Sequence, residues 1–144
     1  MVKRFRLFAA GVAFSVSASL LGAAPTWAGP REDILAGYAA AAKAVDPAFK
    51  GFNVKRGEAF YYAVNTGGAA ETPSCATCHG KDPTQEGHLR TGRSVDPMAV
   101  SANPDVFTRS SKVEKWFGRE CKGVMGRDCT ALEKGDFITF LASK

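Results

Sequence analysis

Beyond residue 29, apolar positions recur at helical spacing in four stretches of the chain. Ile34, Leu35, Tyr38, Ala41 and Ala42 predict a first helix over Glu32 to Ala44 with one buried side, stopped by Asp46-Pro47. A second is predicted around Val54 to Val64, where Gly57 would let a crossing helix approach closely. The Asn65-Thr66-Gly67-Gly68 cluster then marks a turn. Val113, Trp116, Phe117 and Glu120 stand at i, i+3, i+4 and i+7, one face of a helix that a capping box of Ser111 and Glu114 would start. Thr130 and Glu133 form the same signature ahead of a last helix, whose apolar surface comes from Leu132, Phe137, Phe140 and Leu141. No stretch alternates as a strand should. The reading is all-α, with a segment from Lys81 to Pro104, rich in Gly, Pro, Asp and Thr, that is too long for an ordinary connection and suits wrapping something or forming a binding loop.

The first residues have a different pattern. Lys3, Arg4 and Arg6 precede an apolar and small-residue run from Leu7 to Ala24, and Thr26-Trp27-Ala28 resembles a cleavage site. The expectation is a secretory signal peptide over 1–28, cleaved near Ala28, and a single domain over 29–144 in the periplasm. An uncleaved membrane anchor is the alternative, since the run is about long enough to span a bilayer. The leader also changes the charge picture. Of 19 Lys and Arg in the chain three lie in it, leaving 16 against 14 Asp and Glu. A near-neutral domain without a basic run interleaved with aromatics gives no reason to expect nucleic acid as a partner. Nor is stable membrane association expected once the leader is gone.

All four cysteines lie in the expected mature domain, and an exported chain meets oxidising conditions. Residues 74–80 read S-C-A-T-C-H-G. Two cysteines three apart on a helical turn can each form a thioether with a haem vinyl group, and the residue that follows is placed to ligate iron. Cys75, Cys78 and His79 are therefore the candidate attachment site for one covalent haem c, with His79 an axial ligand. A thioredoxin-like C-x-x-C would need a preceding βαβ pattern that is absent. A zinc site of Cys75, Cys78, His79 and His88 is the remaining alternative, although adjacent Cys78 and His79 suit one tetrahedral ion poorly. Cys121 and Cys129 enclose K-G-V-M-G-R-D between two helices, most simply as a disulfide.

Glu120 needs an explanation in its own right. A carboxylate in an apolar stripe is expensive unless it is exposed, protonated, paired or bound to something positive. Residues outside the stripe read more plainly: Tyr38 is a core or haem-wall aromatic, as Trp116 and Phe117 are, Met125 is a packing residue, and His88 is solvent-exposed.

C-A-T-C-H-G, T-G-R at 91–93 and the run S-S-K-V-E-K-W-F-G-R-E-C-x7-C-T-A-L-E-K-G-D-F resemble the Sphaeroides haem protein family of class I-like monohaem cytochromes c, to which cytochrome c″ is also similar. The likeness extends to A-G-Y at 36–38 and R-G-x-x-F at 56–60. It implies a small class I-like cytochrome c fold around one covalent haem, His79 as haem ligand and a Cys121–Cys129 disulfide. It also implies that the sixth ligand is the residue before the first disulfide cysteine, an Asn or His in the family that can leave on reduction and open a site for small diatomic ligands. Here that residue is Glu120, a departure from the pattern. As a hard anionic oxygen donor Glu120 would suit the ferric state. Its rivals are Met98, the conventional partner of a haem His, and an arrangement in which Glu120 pairs with Arg119 or Lys122 and leaves the face open. The functional expectation is single-electron transfer with redox proteins, another cytochrome among them, together with binding of O2 or NO at a labile distal site. The alternative is a haem enzyme reducing a small oxygen or nitrogen species, with Glu120 as distal acid.

Overall fold

The last helix is the centre of the structure, a computed structural model that describes residues 29–144. The expected leader over 1–28 lies outside the described residues. In chain order the helices are α1 (Pro30–Val45), α2 (Val54–Tyr62), the short α3 (Ala76–His79), α4 (Ser110–Met125) and α5 (Ala131–Ala142). Helix α5 packs against both α2 and α1. Phe137, Ile138, Phe140 and Leu141 on it are fully buried, and each such side chain contributes about 1.5–3 kcal/mol by leaving water. Ile138 was absent from the apolar set predicted for this helix, and Leu132, which was in it, is exposed. The difference is geometric: α5 is covered on more than one side in its second half, whereas Leu132 belongs to the first turn.

Two devices join α2 to α5. A Cβ on Gly57 would run into the carbonyl of Asp136 and lie 2.8 Å from the Cβ of Phe140, so the absence of a side chain sets the closeness of the crossing. The buried Asp136 carboxylate accepts from Arg56 Nε at 2.6 Å, Arg56 Nη2 at 2.8 Å and the peptide N–H of Asn53 at 2.7 Å. Asn53 also caps α2, its side chain accepting from the N–H of Arg56. Helix α2 ends two residues before the predicted Val64, because Asn65 turns away to donate its N–H to the carbonyl of Pro73.

Helix α1 buries Ile34, Tyr38 and Ala42, while Ala41, predicted beside them, is exposed. The capping box of Thr130 and Glu133 is present at α5. The one predicted for α4 is not. The helix begins at Ser110 with Arg109 as an uncapped N-cap, so Ser111 already lies inside it, and Glu114 instead accepts from the hydroxyl of Tyr38 and from Lys134 Nζ, the latter at 2.8 Å. The pattern also gave no sign of the small antiparallel pair β1 (Gly87–His88) and β2 (Ser94–Val95), with Gly87 opposite Val95. Two residues are too short a run for alternation to show.

Candidate haem-binding cleft

The C-x-x-C-H segment forms a single helical turn. His79 donates its N–H to the carbonyl of Cys75 at 3.1 Å, and Thr77 Oγ1 accepts from the N–H of Ser74 at 3.3 Å, so the spacing of three and four residues puts Cys75, Cys78 and His79 on one side. The turn is held from behind by α2: Tyr61 donates its hydroxyl to the carbonyl of Gly80 at 2.9 Å and Tyr62 to that of Lys81 at 2.5 Å. From the other flank β1 presses backbone to backbone. A Cβ on Gly87 would lie 2.6 Å from the Cα of His79. Neither the tyrosine pair nor Gly87 carries a motif from which this role could be read.

In front of the turn is a cleft in two connected chambers, of about 840 and 350 Å³, sharing His79, Arg93, Val95, Trp116 and Arg119 as walls. The smaller holds Cys75 and Cys78 together with Glu120 and Val124 of α4. The larger extends along the loop after β2 and takes in Met98, Phe107 and Val113. The long segment from Lys81 to Pro104 thus does line a binding cleft, as its length suggested. Phe107 stands out for its backbone, since φ of 59° is a costly conformation for a bulky residue. Arg31 of α1 holds the loop there, donating to the carbonyls of Pro104 at 2.6 Å and Val106 at 3.0 Å, and the Phe107 ring meets Trp116 and Phe137 edge-on. No periodicity or motif singled out Arg31 or Phe107.

Burial dominates the electrostatics of the attachment residues. It pushes the Cys75 thiol up to about 11, a hydrogen bond to its own backbone opposing and the Glu120 charge adding. The Cys78 thiol is raised by burial and then by Glu120. Burial lowers His79, with Glu120 acting the other way, so the ring favours the neutral form that coordinates metals. Thiols raised in this way are unlike the depressed, reactive cysteines of a thioredoxin-type C-x-x-C. The four zinc candidates do not converge either, His88 being exposed on β1, and no group of three or more His, Cys, Asp or Glu suited to a metal ion occurs among the described residues.

Glu120 faces the smaller chamber with its side chain 38% exposed, and its Oε1 accepts from Arg119 Nε at 2.6 Å. Met98 is buried in the wall of the larger chamber, its N–H bonded to the carbonyl of Pro83 at 3.0 Å. Cys121 and Cys129 are brought together with their Cα atoms 5.7 Å apart, a separation a disulfide spans. Met125 packs beside them, and His88 lies at the surface.

These residues fit haem c. A nitrogen of the His79 ring, Nδ1, is buried without a hydrogen-bond partner, two free thiols stand one turn apart beside it, and the cleft they border is large, with Val95, Met98, Phe107, Val113 and Trp116 in its walls beneath a charged rim. A sequence profile described as a domain of unknown function (DUF1924) matches residues 47–141. The cytochrome c-type protein SHP of Cereibacter sphaeroides is 47% identical over 129 residues, 90% of this chain and 95% of that one. The chain belongs to the Sphaeroides haem protein family. A solved structure of oxidised SHP, described as an oxygen binding cytochrome c, superposes with a TM-score of 0.73 at 46% identity, covering 79% of this chain and 96% of that chain. Oxidised cytochrome c″ from Methylophilus methylotrophus gives a TM-score of 0.69 at 28% identity, over 80% of this chain and 94% of that one. The fold of this family member is accordingly that of a cytochrome c, mostly helical with little sheet, and its cofactor is covalently bound haem c.

Proposed function

We propose that this protein is an exported monohaem cytochrome c, processed near Ala28, that passes single electrons in the periplasm and binds small diatomic ligands at a labile distal face. The observation that carries the reading is one chamber with Cys75, Cys78 and His79 on one wall and Glu120 on the other. The relative described as oxygen binding supports the ligand part of it. Haem c, when bound there, would supply a one-electron couple and an iron able to bind O2 or NO.

Within this reading Cys75 and Cys78 are the covalent anchors and His79 the axial ligand. Oxidation of Cys121 and Cys129 after export clamps the end of α4 and so fixes the helix that carries Glu120. Glu120 is the residue assigned to the distal face. A carboxylate would favour the higher oxidation state of iron over the lower, and Arg119, whose Nε donates to Glu120 Oε1 at 2.6 Å, supplies a partner for the carboxylate when it is not held by iron. Met98, in the other chamber, is the rival ligand. Redox proteins, another cytochrome among them, are the expected partners.

Optical and EPR spectra of the oxidised and reduced protein, with and without Glu120→Ala, test the assignment. The substitution should change the ferric spectrum and raise the midpoint potential. Identical spectra and potentials would transfer the role to Met98 or leave that face open.

A further inference from the structure

Helix α4 keeps its cations to one side. Arg109, just ahead of its first turn, and Lys112, Lys115, Arg119 and Lys122 follow one another at intervals of three or four residues, and all five are exposed. Every neighbouring pair on this arc is therefore a like-charge pair, which an isolated helix disfavours. Neutralisation is incomplete: Arg119 is paired with Glu120 at 2.6 Å and Lys122 with Asp128 at 3.5 Å, while Arg109, Lys112 and Lys115 are in no ion pair among the described residues. The domain as a whole has nearly balanced charge, so the arc reflects segregation rather than general basicity.

Its position gives the segregation a use. Arg109, Lys112 and Arg119 border the cleft itself, Arg93 faces them across it, and the acidic groups of the rim, Asp96 and Asp105, lie on the loop side. We propose that this arc of α4 is the docking surface for an electron-transfer protein whose own redox-centre edge is acidic. The proposal rests on the reading of the cleft as the haem site. An anionic membrane surface would match the charge as well, but Arg109, Lys112 and Arg119 of the arc border the cleft read as the haem site, and the arc offers no apolar residue to insert, since Trp116 lines the cleft. A lip that carries only cations, set against a loop lip where Asp96 and Asp105 accompany Arg93, would orient an acidic partner as well as attract it. One electron would pass from the partner to the one-electron couple that haem c would supply in the cleft.

The test uses haem-loaded protein and reduced flavodoxin, a small acidic one-electron carrier, as donor, with haem reduction followed by stopped flow. Lys112→Glu/Lys115→Glu is compared with Lys43→Glu/Lys50→Glu, the same charge change on α1 and the loop before α2. Rates for the wild type should fall steeply as ionic strength rises from about 10 to about 300 mM, because screening shortens the reach of the arc. The α4 reversal should slow reduction by about tenfold or more at low salt and lose that salt dependence, the control pair staying within about twofold. Lys112→Gln/Lys115→Gln should give an intermediate loss and serves if the reversed variant does not fold. Equal effects of the two reversals, or rates indifferent to salt, would overturn the proposal. So would loss of binding to phosphatidylglycerol vesicles without loss of flavodoxin reactivity, which would make the arc a membrane contact. A wild-type protein without covalent haem absorbance would instead remove the reading of the cleft, and this is seen before any rate is measured.

Discussion

Gly57→Ala sets two opposing effects against each other. In an exposed helix the change would stabilise α2 by about 0.8–1 kcal/mol, because Ala loses less backbone entropy than Gly. Here the new methyl would lie 2.6 Å from the carbonyl carbon of Asp136 and 2.8 Å from the Cβ of Phe140, neither of which can rotate out of the way. The helices must separate by more than half an ångström to restore ordinary contact, and overpacking of this kind costs about 1–3 kcal/mol. Separation also stretches the bonds of Arg56 and Asn53 to the buried Asp136 carboxylate, where charge-assisted hydrogen bonds are worth about 1.5–3 kcal/mol each. The steric and hydrogen-bond losses outweigh the propensity gain, for a net destabilisation of about 2–4 kcal/mol. That corresponds to a fall in Tm of roughly 10 °C or more for a domain of this size. Tyr61 lies one turn further along α2 and braces the carbonyl of Gly80, so the displacement should reach the His79 turn as well. Urea unfolding of the haem-loaded protein, followed by far-UV circular dichroism and by haem absorbance, measures both effects. An unchanged or higher midpoint for Gly57→Ala would refute the account of the crossing.

Two further predictions concern acid stability and attachment. Burial raises the Glu133 carboxyl, but hydrogen bonds from Arg127 and Thr130 outweigh it and hold the group below the usual carboxylate range. A depressed folded pKa contributes stability that is present above the unfolded value, about 4.3, and is lost as pH falls through the folded one. Between about pH 5 and pH 3 the wild type should therefore lose more stability than Glu133→Gln, as read from urea midpoints; parallel losses would show that the pair with Arg127 contributes nothing. Cys75→Ala/Cys78→Ala should leave haem that acid-acetone extracts, whereas the wild type should retain it through denaturation and show the added mass of one haem. Extractable haem in the wild type would contradict thioether attachment.

The chemistry of the site and most of its helices were legible in the sequence, because both rest on short-range spacing. C-x-x-C-H sets two thiols and an imidazole on one turn wherever that turn is placed, and the periodic stripes of α1, α4 and α5 require burial of a particular side. Gly57 could be read as a close crossing for the same reason. What only the tertiary structure decided depends on partners distant in the chain. Ser111 and Glu114 fit a capping box by spacing, yet α4 starts one residue earlier, at Ser110, and Glu114 meets Tyr38 and Lys134, 76 and 20 residues away. Leu132 and Ala41 satisfy a helical period but stay exposed, and Ile138 is buried where α5 is packed by both α1 and α2. The brace of Tyr61 and Tyr62 on the haem turn, the press of Gly87 on His79 and the Arg31 clamp beside Phe107 likewise join segments that no local pattern relates. Local periodicity reports which face a residue takes on its own element, while the group it meets depends on how distant elements dock.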